Sequence, residues 1–239
     1  MITVDLPVPA RVLAFGAHPD DIEFGAGATL AKWAASGAAV TLCVGTDGSK
    51  GTWEPDADLT ALVATRIEEQ RASAAALGAV AVEHLGAVDG ELSVEPEIVG
   101  LLCEVIRRTR PDVVLGHDPW RNYRLHPDHA AAGRLTVEAI VAARDHHFFP
   151  DQGIAPHRPG TLLLFEPGRV DHVEAVGDDH LDRKVAALLA HRSQWRSTMG
   201  IEDPAGVGRF TAEIGARSRA EGLRAGLRAA ETFARIDDL

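Results

Sequence analysis

Five short apolar runs alternate with four longer segments of helical period in this 239-residue chain, and few architectures accommodate that order. The runs "RVLAFG" (11–16), "AVTLCVGT" (39–46), "AVEHLG" (around 80–85), "DVVLGH" (112–117) and "TLLLFE" (161–166) predict strands. Between them "GATLAKWAASG", "DLTALVATRIEEQRASAAALG", "VEPEIVGLLCEVIRRTR" and "PDHAAAGRLTVEAIVAARDHH" place apolar residues three or four apart, which predicts helices. Several of these close at a glycine, Gly37 or Gly78, or before Pro111 after a basic turn. Strands that are apolar throughout are buried on both faces. The expected fold is therefore α/β, a Rossmann-like, mainly parallel sheet with helices on both faces.

Beyond residue 145 the pattern is weaker. "DHVEAVGD" reads as a further strand, "HLDRKVAALLAHRSQW" as a helix, and "GRFTAEIGARSRAEGLRAGLRAAETFARI" has helical spacing to its end. No repeat or linker interrupts the chain, so residues 1–239 are expected to form a single domain. The loops at 47–58, 118–126 and 196–208 are long for connectors, and such loops tend to be functional.

Ligands of parallel sheets bind at the carboxyl ends of the strands. That rule gathers "AHPDD", "TDGSKG" and "HDPWRNYRLHPDH", because each follows a predicted strand. His18, Asp20 and Asp21 lie in the first of these turns; His126, Asp128 and His129 lie in the last. Adjacent carboxylates repel, so the Asp20–Asp21 pair asks for a cation. Imidazole nitrogen with carboxylate oxygen is a ligand set for zinc, and three protein ligands leave a catalytic position open. Either His-Pro-Asp alone also reads as a capped helix start, with proline in the first turn and aspartate favoured by the helix dipole. Two copies at converging strand ends are harder to explain by capping.

At these residues the chain resembles the PIG-L/LmbE-like de-N-acetylases. The resemblance rests on "AHPDD", "TDGSKG", "RIEEQRASAAALG" and "PDVVLGHDP…HPDH", runs from about residue 11 to 145, and extends loosely to "DRKVAALLAHRSQ" and "AETFARI". It implies a metal-dependent hydrolase that removes an acetyl group from an N-acetylglucosamine-type amide. One zinc ion per chain would be held by His18, Asp21 and His129. Asp20 would be the general base, His126 would face the substrate carbonyl with Asp128 orienting it, and Arg66 would contact the sugar. The approach to "HPDH", "WRNYRL", departs from the glycine-rich, aromatic approach usual in that family.

Other residues keep two readings. His117 and Asp118 serve either as outer partners of the metal site or as turn residues. His191 either reaches the site or is a satisfied helix histidine. Arg66 and Glu69 could simply pair on one helix face, worth a few tenths of a kcal/mol. Trp120 and Tyr123 either line a sugar pocket or pack their loop, and Trp33 is expected in the core.

A net charge of -11 disfavours nucleic acid and anionic membrane as partners, and no run of about 18 apolar residues suggests a span. The expected partner is a small N-acetyl sugar or conjugate; a homo-oligomer stays open. The start "MITVDLPVPAR" lacks the features of a signal peptide, and Cys43 and Cys103 sit in apolar runs as expected of free buried thiols, so the expected location is cytoplasmic. Two other functions compete. Two histidines and a carboxylate also form the site of non-haem iron enzymes, which usually sit in β-rich barrels. A non-catalytic nucleotide-binding Rossmann-like module would use "GAHPDDIEFGAGAT", but the chain lacks the G-x-G-x-x-G and Walker patterns, and acids there would repel a pyrophosphate.

Overall fold

A computed structural model describes residues 2–239. The strands are β1 (Thr3–Val4), β2 (Arg11–Gly16), β3 (Ala39–Thr46), β4 (Ala81–Ala87), β5 (Val113–His117), β6 (Thr161–Phe165), β7 (His172–Ala175) and β8 (Ala230–Asp237). The helices are α1 (Asp21–Ala35), α2 (Leu59–Leu77), α3 (Pro96–Thr109), α4 (Pro127–Ala143), α5 (Asp178–Ala190) and α6 (Pro204–Arg224). One eight-stranded sheet has the order β1-β7-β8-β6-β5-β2-β3-β4. Every pairing is parallel except those of β8 with β6 and β7.

Residue alternation along β2 splits the core into two layers. Leu13 and Phe15 join α3 and α4 residues such as Leu102, Ile106, Leu135 and Ile140 on one face. Val12 and Ala14 join Ile22, Leu30 and Trp33 of α1, Leu77 of α2 and Ala187 of α5 on the other. The expected Rossmann-like α/β arrangement is therefore present, with Trp33 fully buried and both cysteines free and buried. Gly25 explains a close approach in this layer: a Cβ there would stand 2.5 Å from the Phe165 ring. No helix among the described residues is long and apolar enough to cross a membrane.

The structure corrects the reading of the C-terminus. Helix α6 ends at Arg224, and "AETFARI" lies in β8, not in a continuing helix. Pairing explains the change: β8 fills the gap between β6 and β7, hydrogen-bonding on both edges and burying Phe233. A two-sided ladder satisfies the backbone groups of an alanine-rich segment whose own preference is helical. The expected loop at 196–208 is also shorter, because α6 begins at Pro204.

The topology fixes where a site can form. From β2 the chain moves to β3 and β4 on one side, then returns to β5 and β6 on the other. The crevice between the carboxyl ends of β2 and β5 is thus a topological switch point, where open α/β sheets bind ligands.

Candidate metal centre

His18 lies two residues beyond β2 and His117 ends β5, so the switch point itself sets both imidazoles. Asp20 and Asp21 open α1. His126 caps α4, and Asp128 and His129 stand in its first turn. Four histidines and three aspartates gather there: His18, His117, His126, His129, Asp21, Asp89 and Asp128 supply three overlapping sets of donor atoms, each within 4.8 Å.

Asp21 is the hub. Its Oδ2 lies 3.3 Å from His18 Nδ1 and 3.2 Å from His117 Nε2, and its Oδ1 lies 3.2 Å from His129 Nε2. The backbone N–H of His18 also donates to Asp21 Oδ2 at 2.7 Å. Burial alone would raise the Asp21 carboxyl; His117, His129 and His18 instead hold it well below the usual carboxylate range. The other face of the His18 ring is equally engaged, with Nε2 3.1 Å from both Asp89 Oδ1 and Asp128 Oδ2. Burial would lower the His18 imidazole, but Asp21 and Asp89 raise it to about 11.

This donor set fits a divalent metal. His18 Nδ1 and His129 Nε2 each approach a carboxylate oxygen of Asp21, and behind His18 the carboxylates of Asp89 and Asp128 face its second nitrogen. Carboxylate backing of a ligating imidazole is the usual outer shell of such centres, orienting the ring and raising its basicity. A cation-hungry pocket is what holds a proton on His18 so tightly, and metal binding would displace that proton.

Asp20 stands apart from those donors. It is buried, with φ 110, outside the region that non-glycine residues prefer. Strain of this kind persists where surrounding structure imposes it and clusters at functional sites. Burial pushes its carboxyl up to about 7; the Arg66 guanidinium, 3.7 Å away, opposes this, and the Asp21 charge adds to it.

Several expected residues take different places. The Asp128 carboxylate does not meet the His126 ring: it accepts from Gly90 N–H (2.6 Å) and Leu92 N–H (3.2 Å) and faces His18. It is the backbone N–H of Asp128 that donates to His126 Nδ1, at 3.3 Å. Arg66 is 2% exposed and donates to the carbonyls of Gly48 (2.9 Å) and Pro19 (2.6 Å), so its guanidinium pins the two loops around Asp20, while its Nε has no hydrogen-bond partner. Glu69 binds Ser193, not Arg66. His191 is buried behind Asp20, its Nε2 3.6 Å from Glu23, and does not reach the metal donors. Trp120 and Tyr123 are exposed.

His117 stands among these donors, its Nε2 3.2 Å from Asp21 Oδ2 and in one donor set with Asp21 and His129. Arg124 Nη1 lies 3.1 Å from its Nδ1 and pairs with Glu166 at the same distance, which leaves Nε2–H to donate to Asp21. Asp118 accepts from Trp120 and Gly168 N–H and holds its turn. Asp89 and the Arg124–Glu166 pair belong to no sequence motif. The one signal for Asp89 is an acid just past a strand end at the ligand-binding side of the sheet. A nucleotide module is poorly served here, because Asp20 and Asp21 occupy the helix start where a phosphate would bind.

Comparison with known proteins agrees with this geometry. The family model described as "PIG-L: GlcNAc-PI de-N-acetylase" matches residues 13–140, which include every metal-donor candidate. A diacetylchitobiose deacetylase of Thermococcus kodakarensis is 34% identical over 188 residues, covering 77% of this chain and 70% of that protein. A 1D-myo-inositol 2-acetamido-2-deoxy-alpha-D-glucopyranoside deacetylase of Thermomonospora curvata is 32% identical over 246 residues, covering 77% and 80%. The solved N,N'-diacetylchitobiose deacetylase from Pyrococcus horikoshii superposes with a TM-score of 0.85 at 27% identity, over 96% of this chain and 84% of that one. Motif, strand-end placement and overall superposition coincide, and the chain belongs to the PIG-L, GlcNAc-PI de-N-acetylase, family.

Proposed function

We propose that this chain is a zinc-dependent de-N-acetylase acting on the acetamido group of a 2-acetamido-2-deoxyglucose unit joined to a second polyol ring. The observation that carries the reading is the approach of His18 Nδ1 and His129 Nε2 to the Asp21 carboxylate, within overlapping donor sets, beside a buried carboxylate, Asp20, that is outside them. Relatives whose names specify diacetylchitobiose and an inositol glucosaminide supply the substrate class.

His18, Asp21 and His129 would hold the metal, whose chemistry there is Lewis acidity toward the amide carbonyl and acidification of water to a pKa of about 7. Asp20 takes the proton of the attacking water. Its pKa of about 7 suits that transfer near neutral pH, and Arg66 keeps a share of it ionised despite burial. Burial, with His18 and His129 nearby, holds the His126 imidazole below its ordinary value. Because Nδ1 accepts the Asp128 N–H, neutral His126 carries its proton on Nε2 and offers it to the developing oxyanion. Asp20 then returns its proton to the departing nitrogen, so that amide and water become acetate and a primary amine. Asp128 serves through His18, and Arg66 through Asp20.

A panel of N-acetylglucosaminides, assayed for acetate and primary amine, tests the reading. Equal release of both products from a two-ring member is expected. No release from any member would contradict it.

A further inference from the structure

Three imidazoles stand around the Asp21 carboxylate, those of His18, His117 and His129. A metal held by all three and by Asp21 would have four protein ligands, the closed arrangement of structural zinc, whereas a catalytic ion keeps one position open. What lies behind each ring decides whether it can ligate, because the bond made by one ring nitrogen sets the state of the other. Behind His18 stand two carboxylates, Asp89 and Asp128, each 3.1 Å from Nε2. They hold a proton on Nε2 and leave Nδ1 to a cation.

His117 is backed by the opposite charge. Arg124 Nη1 lies 3.1 Å from its Nδ1. A guanidinium has donors only, so Nδ1 accepts and the ring carries its proton on Nε2. That N–H is directed at Asp21 Oδ2, 3.2 Å away. A nitrogen in this state has no lone pair for a metal. The ring plane is fixed as well: it stacks on His129 with centroids 4.5 Å apart and 14° between planes, and it meets Phe165 edge-on at 4.5 Å. The place of one proton, not movement of the ring, therefore sets the role of His117.

Arg124 is firmly held. Its side chain is 6% exposed, and it donates to Glu166 Oε2 at 3.1 Å and to the Glu166 carbonyl at 3.2 Å. Glu166 directly follows β6, so the neighbouring strand anchors the clamp. Glu166 Oε2 is also 3.8 Å from His117 Nδ1, beyond hydrogen-bond reach while Arg124 Nη1 bonds to both. Without the guanidinium, a proton on Nδ1 would face the Glu166 carboxylate and Nε2 would face the metal donors bare. A carboxylate behind an imidazole is the usual support of a metal-ligating histidine. All the parts of a fourth ligand are in place, and one arginine keeps it from forming.

We propose that Arg124 is a positioning residue: by holding the His117 proton on Nε2, it excludes His117 from the metal's ligands and preserves the open position. The inference rests on the proposed metal-dependent de-N-acetylase, and its test separates the two. The full-length zinc-loaded chain, labelled with nitrogen-15 at histidine, is compared with zinc-loaded Arg124→Met by long-range proton–nitrogen NMR. The His117 ring is recognised by its contact with Phe165. In wild type, His117 should carry its proton on Nε2, and only His18 and His129 should be metal-bound. In Arg124→Met, His117 should become a third metal-bound imidazole. A wild-type His117 that is metal-bound, or that carries its proton on Nδ1, overturns the proposal without any variant having to fold. Affinity supplies a second arm, measured by competition with a chelator. Loss of an ordinary outer partner weakens metal binding by about 10- to 100-fold, whereas Arg124→Met should bind zinc about tenfold more tightly. Its kcat should fall as the open position fills. Unchanged or weaker zinc binding in Arg124→Met overturns the proposal. The predicted proton on Nε2 and the tightened zinc, together with no hydrolysis of any glucosaminide by wild type, would support the role of Arg124 while the de-N-acetylase reading fails.

Discussion

Asp20→Asn should retain one metal ion per chain and lose turnover by about 10²- to 10⁴-fold, the usual contribution of a positioned general base. Metal retention is expected because the Asp20 carboxylate is absent from all three converging donor sets, whereas its neighbour Asp21 touches three imidazoles. Successive residues in a turn after a strand point in different directions, and φ 110 at Asp20 sharpens that divergence. Asparagine is among the residues that best tolerate positive φ, so the turn should survive the change. Burial already penalises the ionised Asp20, and the amide removes that penalty, so thermal stability should not fall. The loss would then lie in proton transfer alone. Metal analysis, a melting curve and kcat on the best substrate decide the matter. Normal turnover, or metal loss equal to that of Asp21→Asn, would refute the division of labour between the two aspartates.

The second large effect concerns the donors themselves. His18→Ala, His129→Ala and Asp21→Asn should each bind metal far more weakly, and excess zinc should partly restore Asp21→Asn. The effect should extend beyond occupancy for His18, because its removal leaves Asp89 and Asp128 facing each other without the imidazole between them. Uncompensated buried carboxylates are costly, so the melting temperature of His18→Ala should drop in the metal-free state as well. The pH dependence has a definite sign. His18 in the metal-free protein holds its proton up to about pH 11, and a metal must displace it. Affinity should therefore rise with pH across the neutral range, with proton release on binding. Calorimetry in buffers of different ionisation enthalpy measures both quantities. Full zinc occupancy in His18→Ala or His129→Ala, or affinity independent of pH, would rule out these ligands.

The parts of the molecule that can be read from sequence are those written locally. Unbroken apolar runs such as "AVTLCVGT" identify buried parallel strands, and glycine stops such as Gly78, at φ 83, end their helices. Strand β8 is hidden because its identity comes from partners: "AETFARI" pairs with strands that lie tens of residues away in sequence, and its composition favours helix. The site divides in the same way. His18, Asp20, Asp21, His126 and His129 announce themselves because each motif packs several donors into one turn. Asp89 and the Arg124–Glu166 pair lie on separate loops and strand ends, joined only when the sheet brings those ends together. Arg66 shows the converse. Its type and helix position suggest a ligand contact, and only the fold reveals that it also bonds two loop carbonyls and stands beside Asp20.

Metal-dependent amide hydrolysis at the β2–β5 switch point is tested most directly by restoring metal to the stripped enzyme. The wild-type chain, depleted with a chelator, is titrated with zinc while acetate release from a two-ring N-acetylglucosaminide is followed. Activity should be absent without metal, rise in proportion to bound zinc and reach its maximum at one ion per chain. Full activity in the depleted protein, or activity that does not follow zinc bound by His18, Asp21 and His129, would contradict it.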